Sequence, residues 1–151
     1  MKLALISLGC SKNLVDSEHF LGILINKKGF EFTEILEDAD LIIVNTCGFI
    51  GDAKEESIDT ILEMAELKKN KLKKLVVAGC LAQRYAEELM DEMPEVDAII
   101  GTGDIDKIES IIDEIFEEQR VIENKSLDFL ANAYTERVLT TLPHTAYLKI
   151  A

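Results

Sequence analysis

Four times in the first 120 residues a short apolar run gives way to a glycine-containing turn and then to a helix-period pattern, and that alternation leaves few folds open. Residues 2–8 are apolar and end at Gly9, after which Leu14, Val15, Phe20, Leu21, Leu24 and Ile25 recur at three- and four-residue steps. Gly29 closes that helix, 30–35 reads as a weaker strand, and 41–44 is a clear one ending in Asn45-Thr46-Cys47-Gly48. Asp52 reads as an N-cap with Glu55 three residues on, ahead of Ile58, Ile61, Leu62 and Ala65 on one helical face. Residues 75–78 end in Gly79-Cys80, and Ala82, Tyr85, Ala86, Leu89 and Met93 trace a helix that Pro94 stops. Residues 98–100 run into Gly101-Thr102-Gly103, and Asp104 reads as the cap of a helix built on Ile108, Ile111, Ile112 and Ile115.

Strands alternating with helices in this way predict an α/β fold: an open, mainly parallel five-stranded sheet in the order 2-1-3-4-5, with helices on both faces. This is a flavodoxin- or Rossmann-like three-layer sandwich. Past Arg120 the pattern weakens, so 121–140 reads as a connector and 144–151 as the start of a new strand. With 48% apolar and 30% charged residues the chain can bury a core, which excludes disordered and fibrous classes. A net charge of −13 disfavours direct binding of nucleic acid by this domain. No apolar run approaches the roughly 18 residues of a membrane-spanning helix, and a membrane partner is not expected. The start, with Lys2, an apolar run and Gly9-Cys10, superficially matches a lipoprotein signal, but Ser7 stands where such signals carry Leu, and the run reads better as a buried strand.

Three cysteines are an odd number and fit no secreted disulfide framework, so a reducing, cytoplasmic setting is expected. In open parallel sheets ligands bind beyond the carboxyl ends of the strands, where loops from different strands converge. Cys10, Cys47 and Cys80 all fall there, each beside a glycine. They lie too far apart in sequence to make a local metal motif, yet neighbouring strands are only about 4.8 Å apart, so the fold itself could gather the thiols. Read from the residues alone, the three are either ordinary buried cysteines or a metal site, and three thiolates suit either a zinc ion or an iron-sulfur cluster.

The stretches Leu8-Gly9-Cys10-Ser11-Lys12-Asn13-Leu14-Val15-Asp16-Ser17-Glu18, Asn45-Thr46-Cys47-Gly48-Phe49-Ile50 and Val77-Ala78-Gly79-Cys80-Leu81-Ala82-Gln83-Arg84-Tyr85 closely resemble the N-terminal domain of the radical S-adenosylmethionine methylthiotransferases. The resemblance covers 1–120. Ser11-Lys12-Asn13 and Gly48-Phe49-Ile50 resemble the branch that modifies a ribosomal protein, whereas the tRNA-modifying branch typically has Gln-Met-Asn and Ser-Val-Arg there. The resemblance implies that Cys10, Cys47 and Cys80 hold a [4Fe-4S] cluster with one open iron, where a sulfur donor binds. It also implies a second [4Fe-4S] cluster and S-adenosylmethionine in a barrel domain. Residues 141–151 resemble the start of that barrel, and its Cys-x-x-x-Cys-x-x-Cys motif does not occur in this sequence, so the chain is expected to be a fragment inactive by itself. The implied substrate is an aspartate of small-subunit ribosomal protein twelve, whose beta carbon gains a methylthio group.

Other polar residues have plainer readings. Gly101-Thr102-Gly103-Asp104 lacks the third glycine of a dinucleotide fingerprint and the lysine of a P-loop, and reads as a turn plus cap. His19 and His144 have no spacing partner and receive no role. Asp16 and Glu18 read as first-turn acids favoured by the helix dipole. Asn13, Asn45, Thr46 and Gln83 are candidates for hydrogen bonds to cluster sulfurs, with a helix cap (Asn13) and an exposed helix position (Gln83) as the alternatives. Five lysines within 68–74 read as a solvated helix end.

Overall fold

The computed structural model describes residues 1–48, 50–125 and 136–141. Strand β1 (Lys2–Ser7) is followed by helix α1 (Ser11–Lys28), β2 (Glu31–Phe32), β3 (Leu41–Thr46), α2 (Gly51–Glu66), β4 (Lys74–Gly79), α3 (Cys80–Glu92), β5 (Ala98–Ile100), α4 (Ile108–Phe116) and β6 (Val121–Glu123). All pairings are parallel, in the order β2-β1-β3-β4-β5-β6. The expected order holds, with one strand added. Val121–Glu123, inside the stretch expected to be a connector, pairs with β5 and completes a six-stranded sheet.

The apolar runs are explained by position. Every residue of β3 and β4 is buried, as a strand covered by helices on both faces requires. Successive side chains alternate faces: Ile42, Val44, Leu75 and Val77 pack with Ile61, Leu81 and Leu89 under α2 and α3, while Leu41, Ile43, Val76 and Ala78 pack with Leu24, Ile108 and Ile112 under α1 and α4. The two-residue edge strand β2 is exposed.

Several local expectations change. Helix α2 begins at Gly51 with Ile50 at its N-cap, which puts Asp52 inside the first turn instead of at the cap. Asp104 makes no cap hydrogen bond and accepts one from Lys107 at 2.7 Å. The lysines of 68–74 do not merely solvate a helix end. Lys68 pairs with Asp97 at 2.5 Å, Lys73 with Asp40 at 3.1 Å and the buried Lys74 with Asp97 at 3.7 Å, at the sheet edge where the strands begin. Part of the expected connector is docked on α1, where the Val138 amide donates to the Glu18 carbonyl at 3.0 Å. Gly22 lets it approach, since a Cβ there would lie 2.5 Å from the Arg137 nitrogen. The strand expected over 144–151, with His144, lies outside the described residues, as does Phe49.

Candidate functional site

The three cysteines share the opposite edge, where the strands end. Cys47 and Cys80 directly follow β3 and β4, whose last register pair is Thr46 with Gly79, and Cys10 follows β1 after the short turn Leu8-Gly9. These strands are neighbours, β3 lying between β1 and β4. None of the three is in a disulfide; Cys10 and Cys80 are exposed and Cys47 is partly so. They are therefore reachable, not the buried core cysteines of the plainer reading.

Two glycines make the close packing of this edge possible. Gly9 has φ +85°, and a Cβ on it would lie 2.6 Å from the Cβ of Cys47 and 2.9 Å from its Sγ. The turn carrying Cys10 thus rests against the Cys47 side chain. Gly79 has φ +95°, and a Cβ there would overlap Asn45 Oδ1 and the backbone of Thr46. Both backbone conformations disfavour any residue with a Cβ.

Beneath the thiols runs a layer of buried polar side chains, and it is here that Asn13, Asn45 and Thr46 are found. The Asn13 amide nitrogen donates to the carbonyls of Leu8 and Thr46, both at 2.8 Å. That of Asn45 donates to the Asn13 carbonyl at 2.8 Å and to Ser17 Oγ at 3.0 Å. The Thr46 hydroxyl donates to the Ala78 carbonyl at 2.5 Å, and Ser57 Oγ accepts from the Cys47 amide at 3.0 Å while donating to the Cys47 carbonyl at 2.8 Å. These donors are committed to backbone and to one another, so they position the cysteine loops instead of addressing sulfur. Ser57 was not legible as part of this layer, because a serine in an amphipathic helix carries no sign of its partner. Asn45 Oδ1, also buried, has no hydrogen-bond donor among the described residues.

Gln83 has neither expected role. Its nitrogen donates to the Asn124 carbonyl at 2.6 Å and its oxygen accepts from the Thr102 amide at 3.0 Å, which ties α3 to the turns after β5 and β6. Asp16 and Glu18 are buried and lie beyond the first turn of α1, which holds no acid. Glu18 accepts from Arg137 Nε at 2.8 Å and from the Thr140 amide at 2.7 Å, while His19 Nδ1 lies 2.8 Å from the Glu136 carbonyl. No helix of the described residues is long and apolar enough to cross a membrane.

Electrostatics favour negative charge at the cysteine edge. Cys10 is the N-cap residue of α1 and Cys80 the first residue of α3; neither helix has a side-chain cap or an acid in its first turn. Their amide-rich ends present partial positive charge where the thiols sit. Among the described residues no three His, Cys, Asp or Glu side chains are closed tightly enough to hold one metal ion. A lone zinc needs its thiolates about 2.3 Å from a single point. By donor chemistry, three thiols on adjacent strand ends suit either a zinc ion or an iron-sulfur cluster.

A model of the uncharacterized protein family UPF0004 matches residues 2–101. The protein named ribosomal protein uS12 methylthiotransferase RimO from Clostridioides difficile is 54% identical over 151 residues, that from Lachnoclostridium phytofermentans 55% over 152, and that from Pelotomaculum thermopropionicum 53% over 152. The alignments take in 99%, 100% and 100% of this chain but 34% of each relative, so the chain spans about a third of the length of these curated relatives.

Proposed function

Since the chain belongs to the uncharacterized protein family UPF0004, we propose that it is the cluster-bearing N-terminal domain of a methylthiotransferase acting on ribosomal protein uS12. Cys10, Cys47 and Cys80 are the ligands of its [4Fe-4S] cluster, and it works in the cytoplasm. The observation that carries this reading is the placement of three accessible thiols after the ends of adjacent strands, in a chain at least 53% identical to three proteins named for that reaction. Held by three thiolates, such a cluster supplies an open iron at which a sulfur donor binds.

The chain's own residues do the holding. The turns Gly9-Cys10 and Gly79-Cys80 and the end of β3 present the thiols, and the buried amides and hydroxyls fix the loops. The second cluster and S-adenosylmethionine belong to a further domain, whose first segment begins within 141–151. The connector between the two domains is read as 121–140, of which Val121–Glu123 forms β6. A net charge of −13 favours encounter with a basic ribosomal protein over tRNA.

Anaerobic reconstitution of the chain, followed by iron and sulfide analysis, tests the site. Iron and sulfide in near-equal amounts, lost in Cys10→Ala, Cys47→Ala and Cys80→Ala while the fold persists, is the expected result. Full iron in Cys47→Ala, or zinc alone in the purified protein, overturns it. For the substrate, the full-length enzyme is given uS12 and tRNA separately, and the methylthio mass is expected on uS12; product on tRNA alone overturns the substrate assignment only.

A further inference from the structure

Asn13 is 2% exposed and lies in the first turn of α1, just after Cys10, where its amide nitrogen spends both hydrogens on carbonyls of two different strand ends. One is Leu8, which leads into Gly9-Cys10; the other is Thr46, which leads into Cys47. The sheet ladder between β1 and β3 has its last register pair at Ser7 and Asn45, with one further bond from the Leu8 amide to the Asn45 carbonyl at 2.9 Å. Past that point the strands themselves stop fixing the two turns to each other. Asn13 takes over at the place where the ladder ends. Its own carbonyl is held by the Asn45 amide at 2.8 Å, so the side chain works from an anchored backbone.

An N-cap asparagine accepts a backbone amide through its oxygen, but the bonds of Asn13 run the other way. A group that donates twice to carbonyls across a gap is a clamp. We infer that Asn13 is a positioning residue that sets the spacing of the Cys10 and Cys47 turns, and thereby how tightly the cluster is held, without touching a sulfur. This rests on the reading that the three thiols hold a cluster, and it extends that reading to a residue whose effect is transmitted through backbone. Loss of a partner that orients a metal ligand typically weakens metal binding by about 10- to 100-fold, and an effect of about tenfold is expected here.

The test compares Asn13→Ala and the isosteric Asn13→Asp with Leu24→Ala, a fully buried position at the far end of the same helix that costs stability without touching the cysteine edge. Two readouts are taken. In the iron-free chain, hydrogen exchange at residues 8–11 and 47–48 is expected to accelerate in both Asn13 variants and stay unchanged in Leu24→Ala. In the reconstituted chain, iron release to a chelator is expected to be about tenfold faster in the Asn13 variants, with a shifted electron paramagnetic resonance signal on reduction. Unchanged exchange at the two turns overturns the clamp. Loosened turns with wild-type iron release, or equal acceleration in Leu24→Ala, overturn the positioning role. Should the wild-type chain take up no iron, or Cys47→Ala keep all of it, the cluster reading fails, and the exchange data still decide whether Asn13 holds the turns together.

Discussion

Cys47 lies directly against Gly9, so closely that a Cβ added to the glycine would sit 2.6 Å from the Cys47 Cβ. Gly9 therefore carries two separable demands: a left-handed backbone, at φ +85°, and the absence of a side chain. Gly29, at φ +69° with nothing within 4 Å of an added Cβ, carries only the first. Gly29→Ala is expected to cost about 1–2 kcal/mol, the price of a left-handed alanine. Gly9→Ala should cost measurably more, by about 1–3 kcal/mol, because the Cys47 turn must also move. Urea unfolding of both variants checks the difference, and equal losses would show that the Cys47 contact is slack.

Ser57 gives a second prediction. It is fully buried, and its hydroxyl satisfies both the amide and the carbonyl of Cys47. Ser57→Ala leaves both without that partner and is expected to destabilise by about 1–3 kcal/mol. Thr60→Ala on the same helix, where the exposed hydroxyl bonds the Glu56 carbonyl, should change stability by no more than about 0.5 kcal/mol. Chemical denaturation measures both.

The contrast between these serine and cysteine positions shows what the sequence made legible. Strands β1, β3, β4 and β5 announce themselves because a strand buried on both faces must be apolar throughout, and the parallel connections then place all three cysteines on one edge. Strand β6 did not: Val121, Ile122 and Glu123 are too few to show a period, and only pairing with β5 makes them a strand. The buried polar layer was visible only as residue types. Asn13, Asn45 and Thr46 stand near the cysteines in the sequence, but their donors turn toward backbone carbonyls and Ser17, and nothing in a linear sequence states which acceptor is nearest. Glu18 was the furthest from legible, because a glutamate early in a helix normally answers the dipole, and the group that pairs with it lies more than a hundred residues away.

Asp40 sets an acid sensitivity. The Lys2 amide donates to its carboxylate at 2.8 Å, and this bond chiefly holds its pKa below the ordinary 3.8, aided by Lys73 and opposed by burial. A carboxylate with a lowered folded-state pKa stabilises the fold fully above its unfolded value and loses that contribution as pH falls through the folded value. The stability gap between wild type and Asp40→Asn is therefore expected to be constant near neutral pH and to shrink only below about pH 4. Urea midpoints measured across that range check it; a gap that closes above pH 5 would assign the effect to another group.

Glu18 and Arg137 join residues 136–141 to the helix that begins beside Cys10. The Glu18 side chain is fully buried and that of Arg137 is 16% exposed, so either partner alone would be a poorly solvated charge. Removing one member of a buried pair typically costs about 3–5 kcal/mol, whereas removing both costs less than the sum. Here the loss can be local, because segment 136–141 can detach and expose the surviving charge to water while the sheet stays folded. Hydrogen exchange separates the two cases. In the wild-type chain the Val138 amide, bonded to the Glu18 carbonyl, and the Thr140 amide, bonded to the Glu18 carboxylate, are expected to be protected. Glu18→Gln should release both while amides of β3 and β4 keep their protection, and Arg137→Ala should do the same. Combining the two substitutions should add little further exchange, since the segment is already free. Protection at Val138 that survives both substitutions would mean that the close approach over Gly22, and not the ion pair, holds the segment in place.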